Sequence, residues 1–361
     1  MTLAVGIEVP DADLAARLGA GLGDLPRLLD TSGAAYAVLG ADRAGQTVLS
    51  GSPTVAGTFL ARRTTGVGIV VAASPQRDHP YNAARRVASL DHVSRGRAGL
   101  LALRRDRSLD LGIGARGAWA QGELEQGELE QGELTVAHLA DALTATRKLW
   151  RTWPAESLDP DPAVARSARL AFADHTGMFA TKGPLNVPTT PQGEPVVFWL
   201  ASPGRPLGPD EIETAAAVAD VILVDGDALP PEDALPPETA ALTEVLEASA
   251  AAGRPVRVHA RVRLSGASGP LGTERPEAPV TDSLLSLQAR PYVSGIVLRT
   301  SAADLPHLAG DVLPALAETG AVALRPHDRT TLRDLLAIPR RAEPDLRTNP
   351  AAFPVASKES A

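Results

Sequence analysis

The sequence predicts an α/β protein with the architecture of a (β/α)8 TIM barrel. Eight short apolar runs recur along the 361 residues, and most are continuous in apolar residues, which is typical of parallel strands covered on both faces. Helical patterns lie between most of these runs, as the crossovers of a parallel sheet require. The chain also exceeds the roughly 250 residues that such a barrel needs. A doubly wound open sheet is the alternative that the same alternation permits.

The predicted elements follow one another in the order that a barrel requires. The strands are rich in Val, Ile, Leu and Ala, and they span residues 3–9, 34–41, 65–74, 98–104, 195–202, 220–226, 255–264 and 294–300. The helices carry apolar residues at helical spacing, and they span residues 80–94, 135–153, 208–219, 236–253 and 303–320. Residues 1–340 therefore form one predicted barrel domain. The aperiodic stretch 341–361 is a predicted C-terminal tail.

The composition excludes several classes of protein. The net charge is −8 and no basic stripe is present, so neither a nucleic-acid partner nor a membrane partner is expected. The absence of cysteine removes disulfides and thiolate chemistry and fits a cytoplasmic location. No signal peptide and no apolar run of about 20 residues are found. The seven histidines never pair at the i,i+4 spacing of a helical zinc site, so no metal is expected.

Four blocks of sequence, in order, carry a resemblance to a known family. They are HPYNAARRVASLDHVSRGRAG (79–99), ALTATRKLWRTW (142–153), HTGMFATKGPLNVPTTPQGEPVV (175–197), and GIVLRTSAADLPHLAGDVLPALAETGAV (295–322) followed by TTLRDLLAIPR (330–340). In these blocks the chain resembles the bacterial-luciferase-like flavin-dependent monooxygenases. The similar branch includes nitrilotriacetate, dibenzothiophene-sulfone and long-chain alkane monooxygenases.

The resemblance implies a fold and a chemistry. It implies a TIM barrel that holds reduced FMN at the carboxyl ends of its strands, with a separate NAD(P)H:flavin reductase supplying that FMN. The implied reaction uses O2 to oxygenate a small organic substrate, and the cofactor carries the hard chemistry. Related barrels often form dimers or tetramers, which is compatible with a homo-oligomer. No catalytic side chain is identified.

Five residues are candidates for binding the flavin. Ser74 ends the third strand and can hydrogen-bond a flavin ring, or it is a simple strand-to-loop serine. His79 either faces the cofactor or caps the helix that begins near Pro80. The resemblance also places Ser202 and Gly204 at the start of a phosphate-binding loop. The acidic first turn of the next helix repels a phosphate and Arg205 can offset it, so a weakened and a working phosphate site are both open.

The sequence departs from the family pattern where the chemistry would lie. Leu101 stands where the family has an asparagine in strand four, so a hydrogen bond is lost. A QGELE repeat, residues 121–134, replaces a segment with histidine and Arg-Tyr, and we interpret it as a surface loop or as a lid or docking arm. The insertion before strand eight is shortened. These departures support a second hypothesis, a catalytically silent barrel that binds a partner or ligand.

Strand seven has an unusual polar face. Alternation places Arg257, His259 and Arg261 on one side of this strand. They predict either a cationic patch at the barrel mouth or a strand that is more exposed than its neighbours.

Two further expectations concern loops and helices. GIGARG (112–117) is interpreted as a flexible loop, and the arginines at 85 and 86 are expected to pair with Asp91 or nearby acids.

Overall fold

The structure is a computed structural model, and it describes ten ranges of the chain. These are residues 2–18, 22–47, 51–111, 133–167, 170–205, 207–226, 229, 237–264, 286–326 and 331–340. The predicted tail 341–361, the GIGARG loop, residues 121–132 of the repeat, and most of the shortened insertion before strand eight lie outside them. No helix within these ranges is both long enough and apolar enough to cross a membrane.

The described strands close into a parallel barrel. They are β1 Leu3–Val9, β2 Tyr36–Leu39, β3 Gly68–Ala73, β4 Ala98–Ala102, β5 Val196–Leu200, β6 Val221–Asp225, β7 Arg257–Arg263 and β8 Val293–Arg299. Each strand pairs in parallel with the next, and β1 pairs with both β2 and β8. The predicted (β/α)8 barrel is confirmed and the open sheet is wrong. A short β9, Val322–Ala323, extends the sheet beside β1.

Helices lie between the strands. They are α1 Asp11–Leu18, α2 Leu25–Thr31, α3 Pro53–Ala61, α4 Pro80–Ser94, α5 Val136–Trp150, α6 Pro162–Ser167, α7 Pro209–Val218, α8 Pro237–Ala251, α9 Leu305–His307, α10 Leu313–Glu318 and α11 Leu332–Leu335. A π-helical turn, Leu308–Val312, joins α9 to α10. The bounds of α4 agree with the prediction, whereas α1, α2 and α3 were not predicted.

The core has two layers because alternate side chains of each strand point to opposite faces. The outward side chains pack under the helices. The inward side chains fill the barrel as in other barrels of this class, and they include Val38, Val70, Leu101, Phe198, Leu223 and Val297. Leu101, in place of the family's asparagine, is therefore part of this apolar filling. Side chains from α11 and the residues after it close the amino end of the barrel.

Helix α4 is fixed to the barrel by a buried carboxylate. Asp91 accepts hydrogen bonds from the Ala98 amide at 3.0 Å and from Gln192 Nε2 at 2.6 Å. Burial raises the pKa of Asp91, although these hydrogen bonds oppose that effect. The expected pairing of the adjacent arginines with Asp91 is wrong, because Asp91 faces the barrel, whereas their expected pairing with a nearby acid is confirmed for Arg86. Arg86 instead pairs with Asp78 at 2.6 Å on the surface.

The four blocks of the resemblance meet at the amino end of the barrel. Gln192 bonds Asp91 of the first block and accepts the Arg333 amide of the fourth at 3.1 Å. Arg147 of the second block pairs with Glu194 of the third and with Asp220 at 2.9 Å. The contacts that join the blocks therefore form a connected scaffold at the amino end of the barrel, opposite the carboxyl ends of the strands where barrel enzymes act.

Candidate functional site

A cavity of about 400 Å³ opens at the carboxyl end of β3. This volume lies within the roughly 300–1,000 Å³ of small-molecule sites. The end of β3 forms its floor and the first turns of α3 form one wall. Charged side chains complete the lining. The residues that line the cavity include Arg43, Thr54, Val55, Ser74, Arg77, Asp78, Arg86 and Asp106.

Ser74 is the one predicted flavin residue that lines this cavity among the described residues. Its side chain is buried, and its hydroxyl accepts the Gln76 amide at 3.3 Å. A hydroxyl that accepts one hydrogen bond keeps a proton to donate. Ser74 is therefore placed to bind a polar atom of a ligand in the cavity.

His79 lies outside that lining and caps α4. Its Nδ1 accepts the Tyr81 amide at 3.2 Å, and its ring meets the edge of Phe179 with centroids 6.3 Å apart. Burial lowers the pKa of His79, so the neutral ring that accepts this hydrogen bond is favoured. The capping interpretation agrees with this geometry, and a role facing a cofactor stays a prediction.

The other three predicted residues lie together at the end of β5. The Ser202 hydroxyl accepts a hydrogen bond from Arg104 Nη1 at 3.2 Å and donates one to Glu133 Oε2 at 2.9 Å. The Gly204 amide donates to Asp225 Oδ2 at 3.2 Å, and Arg205 lies 3.9 Å from Glu133. We call Arg104, Ser202, Gly204 and Arg205 the donor cluster. Sequence reasoning found three of its members and missed Arg104.

A network of ion pairs lies across the mouth of the barrel. Glu8, at the end of β1, is 1% exposed, and its two oxygens accept Arg261 Nε and Nη2, both at 2.9 Å. Arg261 also donates to Asp225 at 2.7 Å, and Arg299 lies 3.5 Å from Glu8 and 2.5 Å from Asp42. Burial alone would lower the pKa of Arg261, but the Glu8 carboxylate raises it well above the ordinary value. We call these five residues the mouth network.

Further ion pairs join the mouth network to the cavity. Asp42 accepts the Asp11 amide at 3.0 Å, and Arg43 lies 3.4 Å from the Asp11 carboxylate. Arg43 and Arg77 both approach Asp106, at 3.5 and 3.6 Å. Of the residues in these ion pairs and in the mouth network, sequence reasoning named only Arg261. For Glu8, Asp225 and Arg299 the available signal was a charged residue at the carboxyl end of an otherwise apolar strand, in β1, β6 and β8.

The polar face of β7 runs along the depth of the barrel. Arg257 lies at the amino end and donates to the Ala337 carbonyl at 3.0 Å, whereas Arg261 lies at the mouth. Between them, His259 Nδ1 and the Tyr36 hydroxyl are 2.6 Å apart. Burial, and secondarily Arg257, lowers the pKa of His259 to about 3, so its ring is neutral. The predicted cationic patch is wrong, because only Arg261 reaches the mouth. The predicted exposure of β7 applies only to the ends of the strand.

A second cavity in the described part of the chain lies at the opposite end of the barrel. Its volume is about 280 Å³, and Thr2, Arg257, His259 and Ser294 contribute to its lining. It is separated from the mouth by the apolar filling of the barrel. The two cavities therefore offer independent positions for testing where a ligand binds.

Comparison with known proteins identifies the relatives of this chain. The family model of the luciferase-like monooxygenases matches residues 19–270. Nitrilotriacetate monooxygenase component A of Aminobacter aminovorans is 33% identical over 181 residues, which cover 47% of this chain and 36% of that protein. Dibenzothiophene-sulfone monooxygenase of Rhodococcus erythropolis is 28% identical over 161 residues, or 43% and 33% of the two chains. The matched part thus spans about a third of the length of these relatives.

Solved structures are similar over almost the whole chain. Long-chain alkane monooxygenase has a TM-score of 0.67 at 14% identity, covering 93% of this chain and 95% of that one. EDTA monooxygenase from Chelativorans has a TM-score of 0.64 at 19% identity, covering 94% and 99%. At these identities the likeness shows the fold.

Proposed function

Because the chain belongs to the luciferase-like monooxygenase family, we propose that it is a flavin-dependent oxidoreductase, the monooxygenase component of a two-component system. It takes reduced FMN from a separate NAD(P)H:flavin reductase and oxygenates a small organic substrate with O2. The observation that carries the proposal is the match to the family model over residues 19–270. Its cytoplasmic location and any homo-oligomer stay predictions from the sequence.

Two groups of residues at the mouth support the proposal. The donor cluster supplies a hydroxyl, a backbone amide and two guanidiniums, which are the groups that bind a phosphate. The cavity beside Ser74 supplies space for the ring system. When bound, the flavin supplies the redox chemistry. The chain's own part is to hold the end of the flavin side chain near Ser202, to orient the ring at Ser74, and to exclude water.

Anaerobic titration tests this function. Purified protein is titrated with oxidised FMN and with chemically reduced FMN, and binding is followed by calorimetry. We expect reduced FMN to bind with a Kd of about 1–10 μM or tighter, or about −7 to −8 kcal/mol. Addition of a flavin reductase and NADH then tests for oxygen uptake in the presence of candidate substrates. Absence of binding in both redox states contradicts the proposal.

A second candidate function is a catalytically silent barrel that binds a ligand or a partner. The mouth network favours it, because Arg261 and Glu8 close the centre of the mouth with a buried bidentate pair. Acidic side chains also engage the donor cluster. A silent barrel would leave oxygen uptake equal to that of the reductase and free flavin alone. Turnover of a defined substrate excludes it.

A further inference from the structure

Glu133 places a carboxylate among the groups that would bind a phosphate. Its Oε2 accepts the Ser202 hydroxyl at 2.9 Å, and the same oxygen lies 3.8 Å from Arg104 Nη1 and 3.9 Å from Arg205 Nη1. Its side chain is only 12% exposed. One hydroxyl and two guanidiniums thus converge on an anion that belongs to the chain itself.

The position of Glu133 is set by its neighbour in the repeat. The Leu134 side chain is fully buried, its amide donates to the Arg104 carbonyl at 2.9 Å, and its carbonyl accepts Arg104 Nε at 2.7 Å. This two-way bonding fixes the last residues of the QGELE repeat against the end of β4. The interpretation of the repeat as a surface loop is therefore wrong for Glu133 and Leu134.

A second carboxylate already compensates the same guanidinium. Glu211, in the first turn of α7, accepts Trp199 Nε1 at 2.9 Å and lies 3.9 Å from Arg104. A phosphate dianion entering beside Ser202 would meet both acids at short range. Like charges at such distances oppose binding unless one of them moves away or is neutralised.

We propose that Glu133 determines which end group this site accepts, by competing with phosphate for Ser202, Arg104 and Arg205. The site then gains little affinity from a phosphate, and it favours a neutral end group whose hydroxyl donates to the Glu133 carboxylate. Riboflavin should therefore bind about as tightly as FMN. This inference rests on the proposed function, and it names the specificity of the same site.

The test compares two flavins and one inorganic anion. Wild-type protein and Glu133→Gln are titrated anaerobically with reduced FMN and with reduced riboflavin, and separately with inorganic phosphate observed by ³¹P NMR. Glutamine keeps the size of the side chain and removes its charge. We expect Glu133→Gln to bind FMN and phosphate about tenfold more tightly, with riboflavin changed less than about threefold.

The repeat offers a matched control in Glu128, which occupies the same place as Glu133 in the preceding QGELE unit. Glu128→Gln removes the same charge and should leave all three affinities unchanged. Equal gains for FMN and riboflavin, no gain for FMN, or the same gain in Glu128→Gln would overturn the proposal. If no variant binds any flavin, the proposed function fails and the phosphate titration alone decides the inference. Tighter phosphate binding in Glu133→Gln alone then upholds it, and its absence overturns it.

Discussion

Removing the charge of Glu8 should destabilise the barrel more than any surface ion pair could. In Glu8→Gln the side chain keeps its size, but its amide presents one oxygen and one NH2 group to Arg261, which itself can only donate. The Arg261 guanidinium then keeps only one of the two hydrogen bonds that it donates to residue 8, and it faces an NH2 donor in place of the second acceptor. Asp225 remains as a partner, but its side chain is 29% exposed.

The expected magnitude follows from burial on both sides of the pair. Glu8 and Arg261 are 1% and 10% exposed, and two hydrogen bonds of 2.9 Å join them. Removing one partner from a buried pair typically costs about 3–5 kcal/mol, because an uncompensated charge remains. Replacing both residues with apolar ones, Glu8→Leu with Arg261→Met, removes both charges of the pair, and Arg299 keeps Asp42 while Asp225 keeps the Gly204 amide. The double variant should therefore lose less than the single variant.

Urea denaturation at pH 7, followed by circular dichroism, measures the free energy of unfolding of each variant. The control is Asp78→Asn, which breaks an equally direct pair of 2.6 Å with Arg86, a side chain that is 42% exposed. That change should cost less than about 1 kcal/mol. If Glu8→Gln also costs less than about 1 kcal/mol, the mouth network is not a buried electrostatic structure and the reasoning is refuted.

Two other predictions concern the dependence of stability on pH. Burial, and secondarily Arg257, lowers the pKa of His259 to about 3 from 6.5, so the unfolded chain binds the extra proton between those values. The free energy of unfolding should therefore fall by about 1.4 kcal/mol per pH unit below pH 6.5 from this group. His259→Gln should remove that slope while the exposed control His307→Gln retains it, and an unchanged slope contradicts the assignment. Burial alone would raise the pKa of Asp30, but hydrogen bonds from the amides of residues 65–67 lower it below 3.8, so its stabilisation is present above that value and lost in acid. Asp30→Asn should lower the free energy of unfolding by about 1–3 kcal/mol at pH 7. In the same denaturation assay, the free energy of unfolding of this variant should fall less steeply at acidic pH than that of the wild type. An equally steep fall in both proteins would contradict the prediction.

The sequence was sufficient for the strands and for the longest helices. Buried parallel strands need continuous apolar runs, and eight such runs matched the eight barrel strands in order. Helix α4 was predictable because its 15 residues contain several turns of apolar spacing after Pro80. Helices α1, α2 and α3 have only 8, 7 and 9 residues, so two turns of spacing could not distinguish them from loops.

The site was less predictable because its contacts join distant parts of the chain. The resemblance pointed to Ser74 and Ser202, which both follow the end of a strand, and their role toward a flavin stays a prediction. The pairing of Tyr36 with His259 depends on how β2 and β7 face each other across the closed barrel. The contact of Glu133 with Ser202 depends on the path of a repeat that has no helical or strand period. Pairwise geometry of this kind is not encoded in local spacing.

Binding of reduced FMN at the mouth, beside Ser74, is tested most directly by blocking the cavity without disturbing the core. Val55 lines the rim of this cavity and is 65% exposed, so Val55→Trp can project into the cavity with little cost to folding. Thr2→Trp, at the exposed rim of the opposite cavity, is the control. Anaerobic calorimetry with reduced FMN should show affinity weakened about tenfold or more, or about 1.4 kcal/mol, in Val55→Trp and unchanged in Thr2→Trp. Equal binding by all three proteins, or weakening only in Thr2→Trp, would contradict a flavin site at the mouth.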